Sequence, residues 1–166
     1  MKKAREISLF IAIIFWATLI GAVMYSHVVY FSAYLRHLPD STNLLIGPYA
    51  MRDENFWIPI HPLCIIALVT TLVLNWKLVQ RRKYILSTLI IYAIVLVITF
   101  IYFVPELKAF ANSHQSNIPA AEWLERSTIW ERSSWVRGFF MYCGFVMLLI
   151  ALIRNRFQRN DIRAAG

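Results

Sequence analysis

The sequence predicts an all-α integral membrane protein. We expect a four-helix bundle in up-down-up-down order, with both termini in the cytoplasm and the fourth helix extended outside the membrane. Of the 166 residues, 59% are hydrophobic and only 16% are charged, whereas soluble domains carry about 25% charged residues. The charged residues are clustered and leave four long uncharged stretches between them, and Lys and Arg are concentrated in alternate connections.

The four uncharged stretches predict the membrane spans. They are residues 7–35, 55–76, 84–105 and 138–153. A helix needs roughly 20 apolar residues to cross a bilayer, and the first three stretches meet that length. The fourth is shorter, so Arg137 or Arg154 must come close to the membrane and extend its side chain toward water. The chain is then a single membrane domain, residues 1–166, with spans at about 7–35, 56–77, 84–105 and 135–154 and outer loops at 36–55 and 106–134.

The fourth helix is predicted to begin well before its membrane span. Pro119 follows a polar segment, and no helix breaker occurs from Ala120 to Gly138. Proline is favoured at the first helical position. We therefore expect one long helix that begins near Pro119, outside the membrane, and runs to about Arg154.

The distribution of basic residues predicts the orientation. The N-terminal segment, the connection between spans two and three and the C-terminal tail together carry eleven Lys or Arg and two acidic residues. The opposite side carries six basic and seven acidic residues. Basic short loops stay in the cytoplasm, so the chain is expected to be a multi-pass cell-membrane protein whose main partner is the lipid bilayer. Because anionic lipid and orientation account for the net charge of +8, no nucleic-acid partner is expected. The sequence does not predict an oligomeric state.

Several polar residues are predicted to lie at one depth, near the outer ends of the spans. Ionisable groups at membrane depth are costly and usually face the bundle interior, so they are candidates for a functional site. Tyr30 and Tyr34 share a helix face with the histidine of span one. The ionisable residues at this depth are His27, His61, Glu106 and Arg137.

One stripe of the fourth helix adds to this set. Arg126, Trp130 and Arg137 fall on the same face, and two arginines beside an indole could hold an anionic or planar ligand by charge and stacking. We expect a pocket at the outer end of the bundle that accepts a hydrophobic small molecule. Its predicted lining is His27, Tyr30, Trp57, His61, Glu106, Arg126, Trp130 and Arg137.

A structural interpretation of the same residues remains open. The two histidines could be satisfied by backbone or hydroxyl partners, and Glu106 and Arg137 could form an ion pair that fixes helix register. The tryptophans could simply be interfacial anchors. The chain would then be a non-enzymatic membrane-binding or accessory protein.

A metal or haem site is a second alternative. His27 and His61 with a carboxylate from Glu54 or Glu106 would suit non-haem iron, and paired histidines from facing helices would suit haem. No His-x-x-His or Glu-x-x-His pair occurs on any single predicted helix. We therefore predict no cofactor, while a metal or haem remains possible with these ligands.

The chain resembles a known family in layout and in several motifs. It has four spans in about 160 residues, a histidine late in span one, and Asn75-Trp76 at the end of span two. The second outer loop has three tryptophans at a Trp-x6-Trp-x4-Trp spacing, within the segment from Glu122-Trp123 through Arg137-Gly138. These features are similar to the anthrone-oxygenase-like family of small membrane proteins, most of which have no assigned function.

The resemblance implies an oxidoreductase activity. Characterised members oxidise a reduced polycyclic aromatic compound with molecular oxygen and need no evident cofactor. Such chemistry requires a base beside the ring carbonyl and a cation that holds the enolate. The base would be His27 or His61, and the cation Arg126 or Arg137. The catalytic set implied is His27, His61 and Arg137. The substrate-binding set implied is Tyr30, Tyr34, Trp57, Glu106, Arg126, Trp130 and Trp135.

Overall fold

Four long helices make up most of the computed structural model, which describes residues 2–164 and the side chains of residues 2–154. No strand occurs within that part of the chain. Each helix is long and apolar enough to cross a membrane, which confirms the four predicted membrane-length helices. The helices are α1 (Lys2–His37), α2 (Glu54–Leu74), α3 (Val79–Ala111) and α4 (Ala120–Ala164).

The helix bounds differ from the predicted spans mainly at the end of the bundle that carries His27. Helix α3 continues to Ala111, so the predicted loop 106–134 begins as helix. Helix α4 begins at Ala120, directly after Pro119, as predicted. Helix α2 ends at Leu74, because the Asn75 side chain donates to the Thr71 carbonyl at 2.8 Å and closes the last turn. The side chains of three tail residues used to predict orientation lie outside the described part; they are Arg156, Arg159 and Arg163.

Two helices contain a wider, π-helical segment near the same end of the bundle. Helix α1 is α-helical over Lys2–Tyr25 and becomes π-helical over Ser26–Phe31. Helix α3 becomes π-helical over Thr99–Phe103. Such segments are uncommon and often occur at functional sites. The two segments carry His27, Thr99 and Phe103, which form part of the candidate site described below.

The helices pack as a ring in which α1 and α3 each contact both α2 and α4. Large apolar side chains fill the interior between them, including Leu9, Trp16, Leu19, Leu68, Ile85, Tyr92 and Leu148. Many others point outward; Ile58 and Ile101, for example, are 71% and 73% exposed. Helices that are apolar on all faces are typical of membrane spans.

Helices α1, α3 and α4 meet around Gly144. The Trp16 indole of α1 donates to the Met141 carbonyl at 2.9 Å, and Thr88 Oγ1 of α3 donates to the Gly144 carbonyl at 3.1 Å. A Cβ atom at Gly144 would lie only 2.8 Å from Trp16 Cζ2. The absence of a side chain at this position is what lets the indole reach the α4 backbone.

A buried arginine connects the helices at the opposite end from His27. Arg81, 4% exposed, donates to Glu6 of α1 at 3.0 Å, to Asn75 Oδ1 at 3.3 Å and to the Ala151 carbonyl of α4 at 3.1 Å. The sequence pattern indicated only that Arg81 helps to orient the chain. Its position at the start of α3, where an exposed basic residue is common, gives no signal that it is buried.

Candidate functional site

The His27 side chain has a defined tautomer and an unused nitrogen. Its Nδ1 atom lies 2.8 Å from the Val23 carbonyl oxygen. Because a carbonyl oxygen can only accept, Nδ1 must carry the hydrogen, and Nε2 then has a free lone pair. Nε2 is buried and has no hydrogen-bond partner among the described residues. In the neutral imidazole, Nε2 is therefore a buried proton acceptor without a donor among the described residues.

Aromatic side chains surround His27. Its ring centroid is 4.4 Å from that of Trp135 on α4 and 5.1 Å from that of Phe31 on α1. The residue is only 2% exposed. Trp135, by contrast, is 42% exposed, so its indole lies between the buried imidazole and the surface of the protein.

Arg137 is a half-buried cation held by neutral partners. Its Nη1 donates to Thr99 Oγ1 at 3.1 Å, and its Nη2 donates to Ser134 Oγ at 2.9 Å. The guanidinium carbon lies 4.1 Å from the centroid of the Phe103 ring, within cation–π range. No carboxylate among the described side chains forms an ion pair with it. Thr99 and Phe103 both belong to the π-helical segment of α3.

The two histidines have different neighbours. His61 Nδ1 lies 2.7 Å from the Tyr92 hydroxyl, and its ring stacks on Trp57 with centroids 5.7 Å apart. No contact joins His61 to His27 among the described residues. The charge of Arg137, however, lies within electrostatic range of both imidazoles. The charge of Arg137 thus acts on both histidines.

The alternative ion pair between Glu106 and Arg137 is wrong. Arg126 Nη2 lies 2.9 Å from both carboxylate oxygens of Glu106, and its guanidinium carbon lies 4.6 Å from the Trp123 ring centroid. The reason is the length of α3, which extends along α4 beyond Arg137 and brings Glu106 next to Arg126. Arg126 precedes Arg137 on α4 by about 16 Å of helix. Arg126 is therefore already neutralised, whereas Arg137 is not.

Trp130, predicted to line the pocket, lies in a second aromatic core. It is 2% exposed, and its indole donates to the Phe103 carbonyl in the π-helical segment of α3 at 3.1 Å. Its ring packs edge-on against Phe31, with centroids 4.8 Å apart. This cluster also contains Tyr30, Tyr34, Leu35, Leu38, Phe110 and Trp123. Trp130 therefore positions the α3 backbone beside Arg137.

Tyr30 and Tyr34 are also buried there, with ring centroids 5.1 Å apart. Neither hydroxyl has a hydrogen-bond partner among the described residues. Asp53, just before α2, lies within electrostatic range of both phenols. Burial raises the pKa of the Asp53 carboxyl, and the neighbouring Glu54 carboxylate raises it further. Tyr30 lies in the same π-helical segment as His27, and Tyr34 follows one turn later, but both pack in the second aromatic core.

The ligands considered for a metal do not gather in the described part of the chain. No group of three or more His, Cys, Asp or Glu side chains lies close enough there to hold a metal ion. Glu54 lies 3.7 Å from Arg52, and Glu106 binds Arg126. His27 and His61 each have the separate neighbours described above.

A surface cleft of about 350 Å³ lies between the C-terminal end of α1 and the beginning of α4. Trp135 is the predicted site residue that lines it. Sequence reasoning missed this cleft because its walls come from ordinary polar and apolar residues of two distant helix segments. The lining residues are Leu35, Arg36, Leu124, Ser127, Thr128, Glu131, Arg132 and Trp135.

No protein-family model, curated protein or solved structure matches this chain. The resemblance to the anthrone-oxygenase-like family therefore stays a prediction from the residues quoted for it.

Proposed function

We propose that this protein is a cofactor-free oxygenase of the membrane that acts on an acidic, hydrophobic aromatic compound. In this proposal His27 removes a proton from the compound and Arg137 holds the resulting anion. The observation that carries the proposal is a buried imidazole nitrogen without a partner at the same end of the bundle as Arg137, which has no carboxylate partner among the described residues and whose charge acts on this imidazole.

The proposed arrangement in the membrane is up-down-up-down, with both termini in the cytoplasm. Contacts of Arg81 support the topology, because they join the beginnings of α1 and α3 to Asn75, directly after α2, and to Ala151 in the second half of α4. The excess of basic residues at that end supports the orientation. The His27 end then lies on the outer side.

The chemistry follows from what each group can do. A ring methylene that is conjugated with a carbonyl can lose a proton to a base, and a cation stabilises the enolate that forms. His27 Nε2, the ring nitrogen that carries no hydrogen in this tautomer, is the base. The guanidinium of Arg137 is the cation. The electron-rich enolate then reacts with molecular oxygen. One oxygen atom becomes a new ring carbonyl, and the other leaves as water with the two hydrogens of the methylene.

Two of the residues predicted for the roles of base and cation, His61 and Arg126, are less suitable than His27 and Arg137. Arg126 is neutralised by Glu106, so it offers less charge to a ligand than Arg137 does. His61 has its Nδ1 engaged with the Tyr92 hydroxyl, which can either donate or accept, so its free nitrogen is not defined. We therefore propose His27 as the base and give His61 no direct role in the proton transfer.

The test uses the full chain in detergent or nanodiscs, with anthrone as the probe. Oxygen uptake and formation of the quinone are measured together. The variants His27→Gln and Arg137→Gln should each lose about 100-fold or more of the turnover, as expected for loss of a general base or an anion partner. His114→Gln and Arg82→Gln, which lie away from the site, are the matched controls. Undiminished turnover in His27→Gln would overturn the proposed role of the histidine.

A second candidate is a non-enzymatic membrane-binding or accessory protein. The observation that favours it is that His27 and His61 lie in separate contacts instead of facing one cavity. In that case the wild-type chain should bind a hydrophobic acidic compound saturably, without any oxygen uptake. Binding that weakens in Arg137→Gln while no oxygen is consumed would support this second candidate over the oxygenase.

A further inference from the structure

The geometry points to the cleft between α1 and α4 as the route by which the compound reaches His27, with Trp135 as the side chain that closes this route. The inference rests on the proposed function, because it concerns access to the proposed base. It also identifies a residue that decides which molecules enter. The Trp135 indole lines the cleft and also contacts the imidazole.

Two consecutive turns of α4 connect the cleft with His27. Trp135 lines the cleft and lies 4.4 Å from the imidazole, centroid to centroid. Glu131, one turn earlier, also lines the cleft, and its charge lies within electrostatic range of His27. The wall of the cleft therefore contacts the histidine through Trp135, and the ring nitrogen without a partner is buried next to this wall.

The surroundings of Trp135 leave its indole room to move outward. The indole is 42% exposed. Its neighbours Val136 and Phe139 are 59% and 64% exposed and offer an apolar outer surface on which a displaced indole could lie. His27 by contrast is held at Nδ1 by the Val23 carbonyl. Access to Nε2 is therefore controlled by Trp135 more than by movement of the histidine itself.

The lining of the cleft indicates the class of molecule that it admits. Leu35 and Leu124 provide apolar walls, while Arg36 and Arg132 come from two different helices and form no ion pair with the described side chains. Glu131 offsets part of this positive charge. A flat aromatic compound that carries a phenolic or carbonyl oxygen matches these walls, since its ring can stack on Trp135 and its oxygen can accept from an arginine.

The experiment measures how fast diethyl pyrocarbonate modifies each histidine of the purified full-length protein. This reagent reacts with an unprotonated ring nitrogen, and peptide mass spectrometry separates His27, His37, His61 and His114. We expect Trp135→Ala to raise the rate at His27 at least about 10-fold while the rates at His37 and His114 stay unchanged. Trp57→Ala is the matched control, because Trp57 stacks on His61; it should raise the rate at His61 and leave His27 unchanged.

A second variant keeps the inference testable if Trp135→Ala folds poorly. Thr128→Trp introduces a large side chain into the cleft and should slow any reaction of His27 in the otherwise wild-type chain. An unchanged rate at His27 in a folded Trp135→Ala protein would overturn the inference. So would a rise at all four histidines together, because that would indicate general loosening of the bundle.

The labelling result is independent of turnover, so the two proposals fail separately. If Trp135→Ala exposes His27 but His27→Gln still consumes oxygen normally, the route is correct and the proposed role of His27 is wrong. If His27→Gln loses turnover but Trp135→Ala does not change the labelling of His27, the role of His27 stands and the route through the cleft is wrong.

Discussion

Arg81 and Glu6 lie 3.0 Å apart although 75 positions separate them in the chain. The guanidinium of Arg81 is almost completely buried, and its remaining donors reach Asn75 and the Ala151 carbonyl. A buried charge is tolerated only when its hydrogen bonds are satisfied. This residue therefore ties together all four helices at the end of the bundle opposite His27.

Removing Arg81 should destabilise the bundle. In Arg81→Ala, the Asn75 and Ala151 oxygens lose a buried donor, and the ion pair between Arg81 and Glu6 is lost. We expect the free energy of unfolding to fall by about 2–4 kcal/mol, measured by denaturant titration in detergent. The control Lys83→Ala changes an exposed residue on the same helix and should alter stability by less than about 0.5 kcal/mol. Equal losses of unfolding free energy in the two variants would show that the buried contacts of Arg81 do not stabilise the bundle.

A methyl group at Gly144 should also destabilise the fold. The added Cβ would lie 2.8 Å from Trp16 Cζ2, so the indole must shift and weaken its bond to the Met141 carbonyl. Overpacking of this kind costs about 1–3 kcal/mol. Gly138→Ala is the control, because its Cβ would meet Val23 at an ordinary 3.6 Å. Thermal unfolding should separate the two variants, and a Gly138→Ala protein that is the less stable of the pair would contradict the predicted packing.

The partner of Glu106 can be tested with a double-mutant cycle. The variants Glu106→Gln and Arg126→Gln should show a coupling of about 0.5–1 kcal/mol in unfolding free energy, the range expected of a partly exposed ion pair. The same cycle between Glu106→Gln and Arg137→Gln should give a coupling near zero, because no ion pair joins these two residues. A larger coupling with Arg137 would restore the pairing that the sequence suggested.

The proposed orientation predicts which positions a membrane-impermeant maleimide can reach in intact cells. Tyr49, which is 94% exposed, lies on the proposed outer side, and Lys83 lies on the proposed cytoplasmic side. We expect Tyr49→Cys to be labelled in intact cells and Lys83→Cys only after permeabilisation. The wild-type chain measures the background from the free thiols Cys64 and Cys143. The reverse pattern would place the termini outside.

Part of the candidate site could be anticipated from sequence. Ionisable residues are rare at membrane depth, and this rarity predicts His27 and Arg137 as candidate site residues. The role of Trp130 could not be anticipated in the same way. A tryptophan near a predicted interface is expected to anchor in the headgroup region, yet this indole is buried and bonded to the Phe103 carbonyl. Its contact depends on the π-helical segment of α3, which has no clear pattern in the sequence.

The four membrane-length helices can be predicted from sequence alone, because the length of an uncharged apolar stretch is a local property of the chain. The sequence also determined where α4 begins, because Pro119 and the unbroken run after it act locally. The pairing of Glu106 with Arg126, the burial of Arg81 and the contact between Trp135 and His27 follow from the tertiary structure. These contacts depend on the rotation and axial position of one helix against another, and side-chain packing between distant segments sets both.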